Sequence, residues 1–293
     1  MSGGIALRGN LLAVTWSASR GHVFLFDVEA RQRVSTWTLP PGASGYSDAA
    51  GVAIDDAYHL FVADPQNDRV LHYSPFGRLL ATFGAPAPEV GDAGRDRPGV
   101  LDRPYAVAVH GDVVYVAGGD QPRRRAVQRF SREGAVGKPL AARGDPDARF
   151  GAPRGLAADA AGVLVADTLR GALLRYRGDG TFVHELPCGA PGALARPIAV
   201  LPWRGGACLF VDRGDATGLR ACDASGGPLA LPTDVGRCDK PQALAADRCG
   251  RVYVLDRDGE RVLRFTPDLQ LDQELLDLGE WFDGADHDAA PGS

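Results

Sequence analysis

The chain has 293 residues, 45% hydrophobic and 24% charged, with a net charge of -5, the composition of a folded protein with a sizeable core. That charge counts against a nucleic-acid partner, which asks for a basic face. The start, Met1-Ser2-Gly3-Gly4-Ile5, lacks the basic and apolar regions of a secretion signal, and no apolar run reaches the ~18 residues that span a bilayer; a cytoplasmic protein with no membrane partner is predicted.

Taken in chain order, the predicted elements are short strands. Gly4 opens the first group, 4–40, whose third apolar run ends at Phe26. The second group, 51–84, shows three apolar runs at 52–54, 60–63 and 70–73, parted by turn residues, and a fourth at 79–83 after Gly77. This is the pattern of a four-stranded antiparallel meander. The same phrase returns at 104–142, 153–186, 197–231 and 241–276.

Laid on one another, the six groups give columns. A small residue opens each first strand: Gly4, Gly51, Ala106, Gly155, Ala199 and Ala243. Two positions on stand Ala6, Ala53, Ala108, Ala157, Leu201 and Ala245, spaced 47, 55, 49, 44 and 44 residues apart, as one four-stranded blade per repeat requires. Small residues let six backbones crowd round a central axis. An aromatic closes the third strand (Phe26, Tyr73, Phe130, Tyr176, Phe265), with Cys222 the exception, and fills the wider space between blades. Asp64, Asp167, Asp212 and Asp256 end second strands, where a carboxylate is expected to accept backbone N–H bonds from the following loop. An all-β, six-bladed β-propeller is predicted over 1–282 as a single domain, followed by an acidic tail, 283–293. In that reading Trp281 and Phe282 seal the ring.

The run Ala63, Asp64, Asn67, Arg69, Val70 within 51–73 closely resembles an NHL repeat; blades two, four and six carry the pattern well. The resemblance implies the six-bladed propeller. For function it implies a protein-interaction platform, an RNA binder, or a lyase or hydrolase. It also implies a place as an accessory part of larger bacterial assemblies.

The one-to-two and three-to-four turns of a propeller share one face; the two-to-three loops and inter-blade segments share the other. Here the second set is long (40–50, 84–104, 143–153, 187–197, 232–241), so any ligand is expected on that face. Its candidate binding residues are Arg20, Tyr46, Arg69, Tyr105, Arg123, Arg124, Arg125, Arg154, Arg170, Arg213 and Arg257, suited to an acidic peptide or an anion. The competing reading pairs these arginines with the repeat's own aspartates.

No catalytic residue is assigned. The six histidines fall at unrelated positions of the repeat, against a three-His zinc site, and no Gly-x-Ser-x-Gly elbow is present. No cofactor is expected; the one metal reading is a calcium or other divalent ion on Asp64, Asp167, Asp212 and Asp256, against the alternative that each carboxylate caps its own loop. The leading expectation is a non-enzymatic platform for a protein partner. A metal-dependent lyase or hydrolase in the channel is the alternative, and RNA binding the second. Cys208 and Cys222 should face each other across a hairpin, because 211+219 equals 208+222; two thiols in a cytoplasmic protein are expected to stay reduced.

Overall fold

A computed structural model describes residues 3–17, 20–43, 45–86, 97–186, 196–214 and 218–279; the tail and the Trp281–Phe282 seal lie outside them. The apolar runs fold as consecutive antiparallel strands, neighbour to neighbour within each sheet. Blade one comprises Gly3–Arg8, Leu11–Ser17, Gly21–Asp27 and Gln32–Thr38, and blade two Val52–Ile54, Leu60–Asp64, Arg69–Tyr73 and Leu79–Phe83. Blade three comprises Pro104–His110, Val113–Gly118 and Val127–Ser131. Blade four follows as Pro153–Asp159, Gly162–Asp167, Ala172–Tyr176 and Phe182–Leu186. Blade five is Pro197–Pro202, Cys208–Asp212, Leu219–Cys222 and Pro228–Leu229, and blade six Pro241–Ala246, Val252–Asp256, Arg261–Phe265 and Leu271–Asp277.

Second strands such as Leu60–Asp64 and Cys208–Asp212 are buried along their whole length, because a neighbouring blade covers each of their faces. That is why they read as continuous apolar runs rather than alternating ones. Fourth strands lie at the rim and are largely exposed, as in Leu79–Phe83.

Each first strand packs on the next, and Pro241–Ala246 packs back on Gly3–Arg8, so the six sheets form a closed ring: a six-bladed β-propeller. The small-residue column permits the crowding. A Cβ on Gly51 would stand 2.7 Å from the carbonyl oxygen of Tyr105 and 2.9 Å from Cα of Ala106, and one on Gly155 would stand 2.8 Å from Cα of Ala199. The ring closes blade against blade. Blade one supplies its own four strands, and its Ile5, Trp16 and Phe24 share a core cluster with Tyr253, Leu255 and Leu276 of blade six. Two polar links reinforce the joint: Gln242 Nε2 donates to the Gly3 carbonyl at 3.0 Å, and Arg251 pairs with Glu29 at 2.7 Å. The column closing the third strands, Cys222 included, is buried in all six blades.

Blade three departs from the four-strand pattern. Beyond Ser131 the chain keeps one bridge, Phe130 to Val136, with Ser131 N–H donating to the Ala135 carbonyl at 2.8 Å, Gly137 N–H to the Arg129 carbonyl at 2.8 Å and Leu140 N–H to the Val127 carbonyl at 3.0 Å. Pro139, which has no N–H, stands between those two donors and interrupts the ladder.

The four aspartates do their bonding on the other side of the strand from the one expected. Asp167 accepts from Gly151 N–H (2.8 Å) and Ala152 N–H (3.0 Å); Asp256 accepts from Lys240 N–H (2.7 Å) and Asp239 N–H (3.0 Å). Asp64 takes Asp48 N–H at 3.0 Å, and Asp212 takes Arg196 N–H at 2.8 Å. All these donors belong to the segment entering the blade. From the following loops, Gly214 contributes a backbone bond, to Asp212 at 3.0 Å. Each carboxylate therefore clamps the chain arriving from the preceding blade, which fixes where that blade's first strand begins.

Candidate functional site

In blades three to six the first strand carries the same irregularity. Pairing with the second strand slips by one residue between Pro104 and Ala106, Pro153 and Gly155, Pro197 and Ala199, and Pro241 and Ala243. The proline donates nothing to the ladder, and the residue between it and the small residue is squeezed out as a bulge, a device that re-aims a side chain. Those residues are Tyr105, Arg154, Ile198 and Gln242. With Gly3 and Ala50, which hold the same place in blades one and two, they line a cavity at the mouth of the central channel.

Two further columns form its walls. Three residues before the small residue stand Asp48, Arg103, Ala152 and Arg196; just after the clamping aspartates stand Thr168, Arg213 and Arg257. The clamp joins them: Arg213 N–H donates to the Arg196 carbonyl at 3.0 Å, while Arg196 N–H is held by Asp212. Leu169 and Asp120, also from two-to-three loops, complete the lining. The cavity measures ≈570 Å³, within the usual range of ligand sites.

Its electrostatics oppose those of the whole chain. Five arginines (Arg103, Arg154, Arg196, Arg213, Arg257) face two aspartates (Asp48, Asp120), a formal +3 from five minus two on a protein of net charge -5. All five come from blades three to six, so the positive charge forms a crescent. Asp120 serves two of them, Arg154 at 2.5 Å and Arg103 at 3.0 Å. Arg154 also lies over the Tyr105 ring, its guanidinium carbon 3.6 Å from the centroid, which holds the charge in one orientation. Arg103 adopts a left-handed backbone (φ 46°), and its N–H is held by Asp68 at 2.7 Å. Arg257 pairs with its neighbour Asp258 at 3.1 Å. Arg196 and Arg213 have no side-chain ion pair among the described residues. Burial, and then the charges of Arg257, Arg154 and Arg196, push the Arg213 guanidinium below the usual arginine range. Like charges gathered round one cation are unfavourable until an anion joins them. The site can bind an anion through several charge-assisted hydrogen bonds.

Four of the predicted binding residues come together here: Tyr105, Arg154, Arg213 and Arg257. The others do not. Arg69 is built into the clamp, donating to Asp64 at 2.9 Å and to the Pro40 carbonyl at 2.5 Å. Arg123 pairs inward with Asp102, Arg124 pairs with Asp147 at 3.2 Å, and Arg125 lies exposed on the same loop. Arg170 stays 3.9 Å from Asp167, Arg20 is exposed outside the lining, and Tyr46 is 65% exposed on the segment between blades one and two. Sequence reasoning did not place Arg103 and Arg196 in the site; their shared position three residues before the small column was the available signal. Asp64, Asp167, Asp212 and Asp256 each stay within their own blade. Among the described residues no three His, Cys, Asp or Glu side chains converge as metal ligands.

Below the mouth the channel narrows to a bore of ≈80 Å³. It is lined by the small column and by the residue after it in every blade: Ile5, Val52, Val107, Leu156, Val200 and Leu244, all aliphatic. Cys208 and Cys222 face each other across the blade-five hairpin as buried thiols and line neither cavity.

Among known proteins, no family model matches the chain, and no curated protein matches it. Solved structures do. A chain from the crystal structure of a nidogen/laminin complex superposes with a TM-score of 0.64 at 15% identity, covering 91% of this chain and 93% of that one. A streptogramin B lyase superposes at 0.62 and 13% identity (93% and 82%), and a protein of unknown function from Bacteroides caccae at 0.61 and 13% (91% and 93%). At these identities the likeness is one of fold. Among the described residues no helix is long and apolar enough to cross a membrane.

Proposed function

We propose that this protein is a non-enzymatic interaction platform of the NHL kind, which docks an acidic segment of a protein partner in the arginine basin of its inter-blade-loop face. The observation that carries this reading is the net-positive crescent, in which Arg196 and Arg213 have no ion pair among the described residues. A sign reversal confined to one cavity focuses field lines and draws in anions. One of the similarly folded chains comes from a complex of two proteins, which supports a platform role. The lyase reading asks for three or more imidazoles or carboxylates converging on one point; among the described residues no histidine lines either cavity, and the carboxylates there are Asp48 and Asp120. RNA binding asks for several aromatic stacking surfaces, and among the described residues Tyr105 is the one aromatic ring in the lining.

The reading is tested by fluorescence anisotropy with a labelled peptide bearing four glutamates, at low and at 0.3 M salt. Binding should weaken with salt, and Arg213→Glu should lower the affinity at least tenfold while the protein melts normally. Equal binding by wild type and R213E would remove the basin from the function.

A further inference from the structure

The uncompensated charge of the basin is concentrated at one place. Arg196 and Arg213 are rooted together, Arg213 N–H donating to the Arg196 carbonyl at 3.0 Å, and neither has a side-chain ion pair among the described residues. The blade before them contributes Arg154, which shares the single carboxylate of Asp120 with Arg103. The blade after them contributes Arg257, whose partner Asp258 also serves Lys240. Asp48, the other aspartate of the lining, lies across the ring and accepts from Ser17 Oγ. The Arg196–Arg213 pair therefore asks for two negative charges at one point.

A run of glutamates supplies that charge poorly. On an extended chain the carboxylates of one edge stand two residues apart, about 7 Å at about 3.3 Å per residue, so one that meets the pair leaves the next beyond it. Three of them span about 13 Å, whereas a sphere of ≈570 Å³ is about 10 Å across. A helix, about 10–12 Å wide with its side chains, would fill the basin with its own body. A phosphomonoester gathers nearly two charges and three acceptor oxygens round one phosphorus, and guanidinium forks match those oxygens two at a time. Inorganic phosphate would occupy only a small part of a cavity in the size range of drug-like ligands. Deepening the platform reading, on which this rests, we propose that the partner segment docks through a phosphorylated serine or threonine, its phosphate held between Arg196 and Arg213 and flanked by Arg154 and Arg257. The neighbouring residues of the segment leave the basin past Leu169, which is 56% exposed on its wall.

The experiment is calorimetric titration of the full chain with one peptide in three forms, bearing phosphoserine, serine or glutamate at its centre. A four-glutamate peptide and inorganic phosphate are titrated as well. The phosphoserine form should bind at least tenfold more tightly than the serine and glutamate forms and than the four-glutamate peptide. Arg196→Gln keeps the backbone N–H that Asp212 holds, so it should lower phosphopeptide affinity at least tenfold with the melting temperature within a few degrees of wild type. Arg213→Lys, which keeps the charge and removes the fork, is the second variant and should cost the phosphopeptide more than it costs the four-glutamate peptide. If the four-glutamate peptide binds as tightly as the phosphopeptide, the phosphate assignment falls and the platform reading stands. If no peptide binds, both fall. Binding of inorganic phosphate as tight as that of the phosphopeptide would overturn the phosphorylated-residue assignment in favour of a free anion.

Discussion

Gly51→Ala adds one methyl group where two blades are closest, so its cost can be worked from the structure. The new Cβ would meet the Tyr105 carbonyl oxygen at 2.7 Å, Cα of Ala106 at 2.9 Å and the Val107 nitrogen at 3.1 Å. All three are backbone atoms of the next blade's first strand, so no side chain can turn aside. Restoring ordinary contact at about 3.4 Å requires that strand to retreat by roughly 0.7 Å, since carbon contacts are optimal near 3.5–4.0 Å. The bond from Gly51 N–H to the Tyr105 oxygen, now 2.9 Å, would stretch to about 3.6 Å and cease to be one. Overpacking costs about 1–3 kcal/mol and the lost bond about 1 kcal/mol, against which the stiffer unfolded chain returns about 0.5–1 kcal/mol. A net loss of about 2–3 kcal/mol lowers Tm by about 5–10 °C in a domain of this size. Gly178→Ala is the control, because nothing lies within 4 Å of its Cβ position and it should be neutral within about 0.5 kcal/mol. Circular dichroism melting of both variants decides the matter. A Gly51→Ala protein melting within 2 °C of wild type would refute the account of the small-residue column.

Three further outcomes are expected. Asp256→Ala strips the acceptor from Asp239 N–H, Lys240 N–H and Arg261 and should lower stability by about 2–4 kcal/mol in urea denaturation, with Asp256→Asn losing less because its carbonyl oxygen still serves Lys240. His72 is held below the ordinary histidine range, chiefly by burial and then by His59, which together outweigh the carboxylates of Asp55 and Glu133. The fold thus prefers the neutral ring, and stability present above about pH 6.5 is lost as pH falls through the lowered pKa. Phe at this position, stacked on Phe61 as His72 is at 4.4 Å, should remove that loss; a gap between His72→Phe and wild type that stays constant from pH 7.5 to 5.5 would contradict it. Among thiols, exposed Cys249 should react with Ellman's reagent in the native protein. Cys238, its thiol pushed up to about 12 by burial, and the buried pair Cys208 and Cys222 should react after unfolding.

Much of the fold is legible because propeller geometry repeats its demands. Gly51, Ala106 and Gly155 recur where backbones touch, and Tyr73, Tyr176 and Phe265 recur where blades diverge. The position of Cys208 opposite Cys222 follows from hairpin register alone. The site is half legible. Tyr105, Arg154, Arg213 and Arg257 belong to columns that the pairing turns inward. Arg69 and Arg261 occupy a column too, five residues after a clamping aspartate, and there the charge is consumed inside the blade. Residue type does not separate the two kinds of arginine; position does, Arg213 and Arg257 standing directly after a clamping aspartate and Arg154 in the bulge between Pro153 and Gly155, and a slip of one residue in a ladder leaves a trace only as the Pro-x-small spelling at 104–106, 153–155, 197–199 and 241–243. The adjacent Arg123, Arg124 and Arg125 stand out in the sequence as a run of three cations, and Asp102 and Asp147 hold the first two.

The central claim, that a partner docks at the arginine basin, is most directly tested by site-specific photo-crosslinking in the native cell. A benzophenone side chain replaces Leu169 on the basin wall or, as the control, Phe76, 91% exposed on the opposite, short-turn face. The account predicts one discrete protein adduct from position 169, lost when Arg213→Glu is added, and none from position 76. Adducts that form from position 76 alone, or that survive the R213E change, would contradict it.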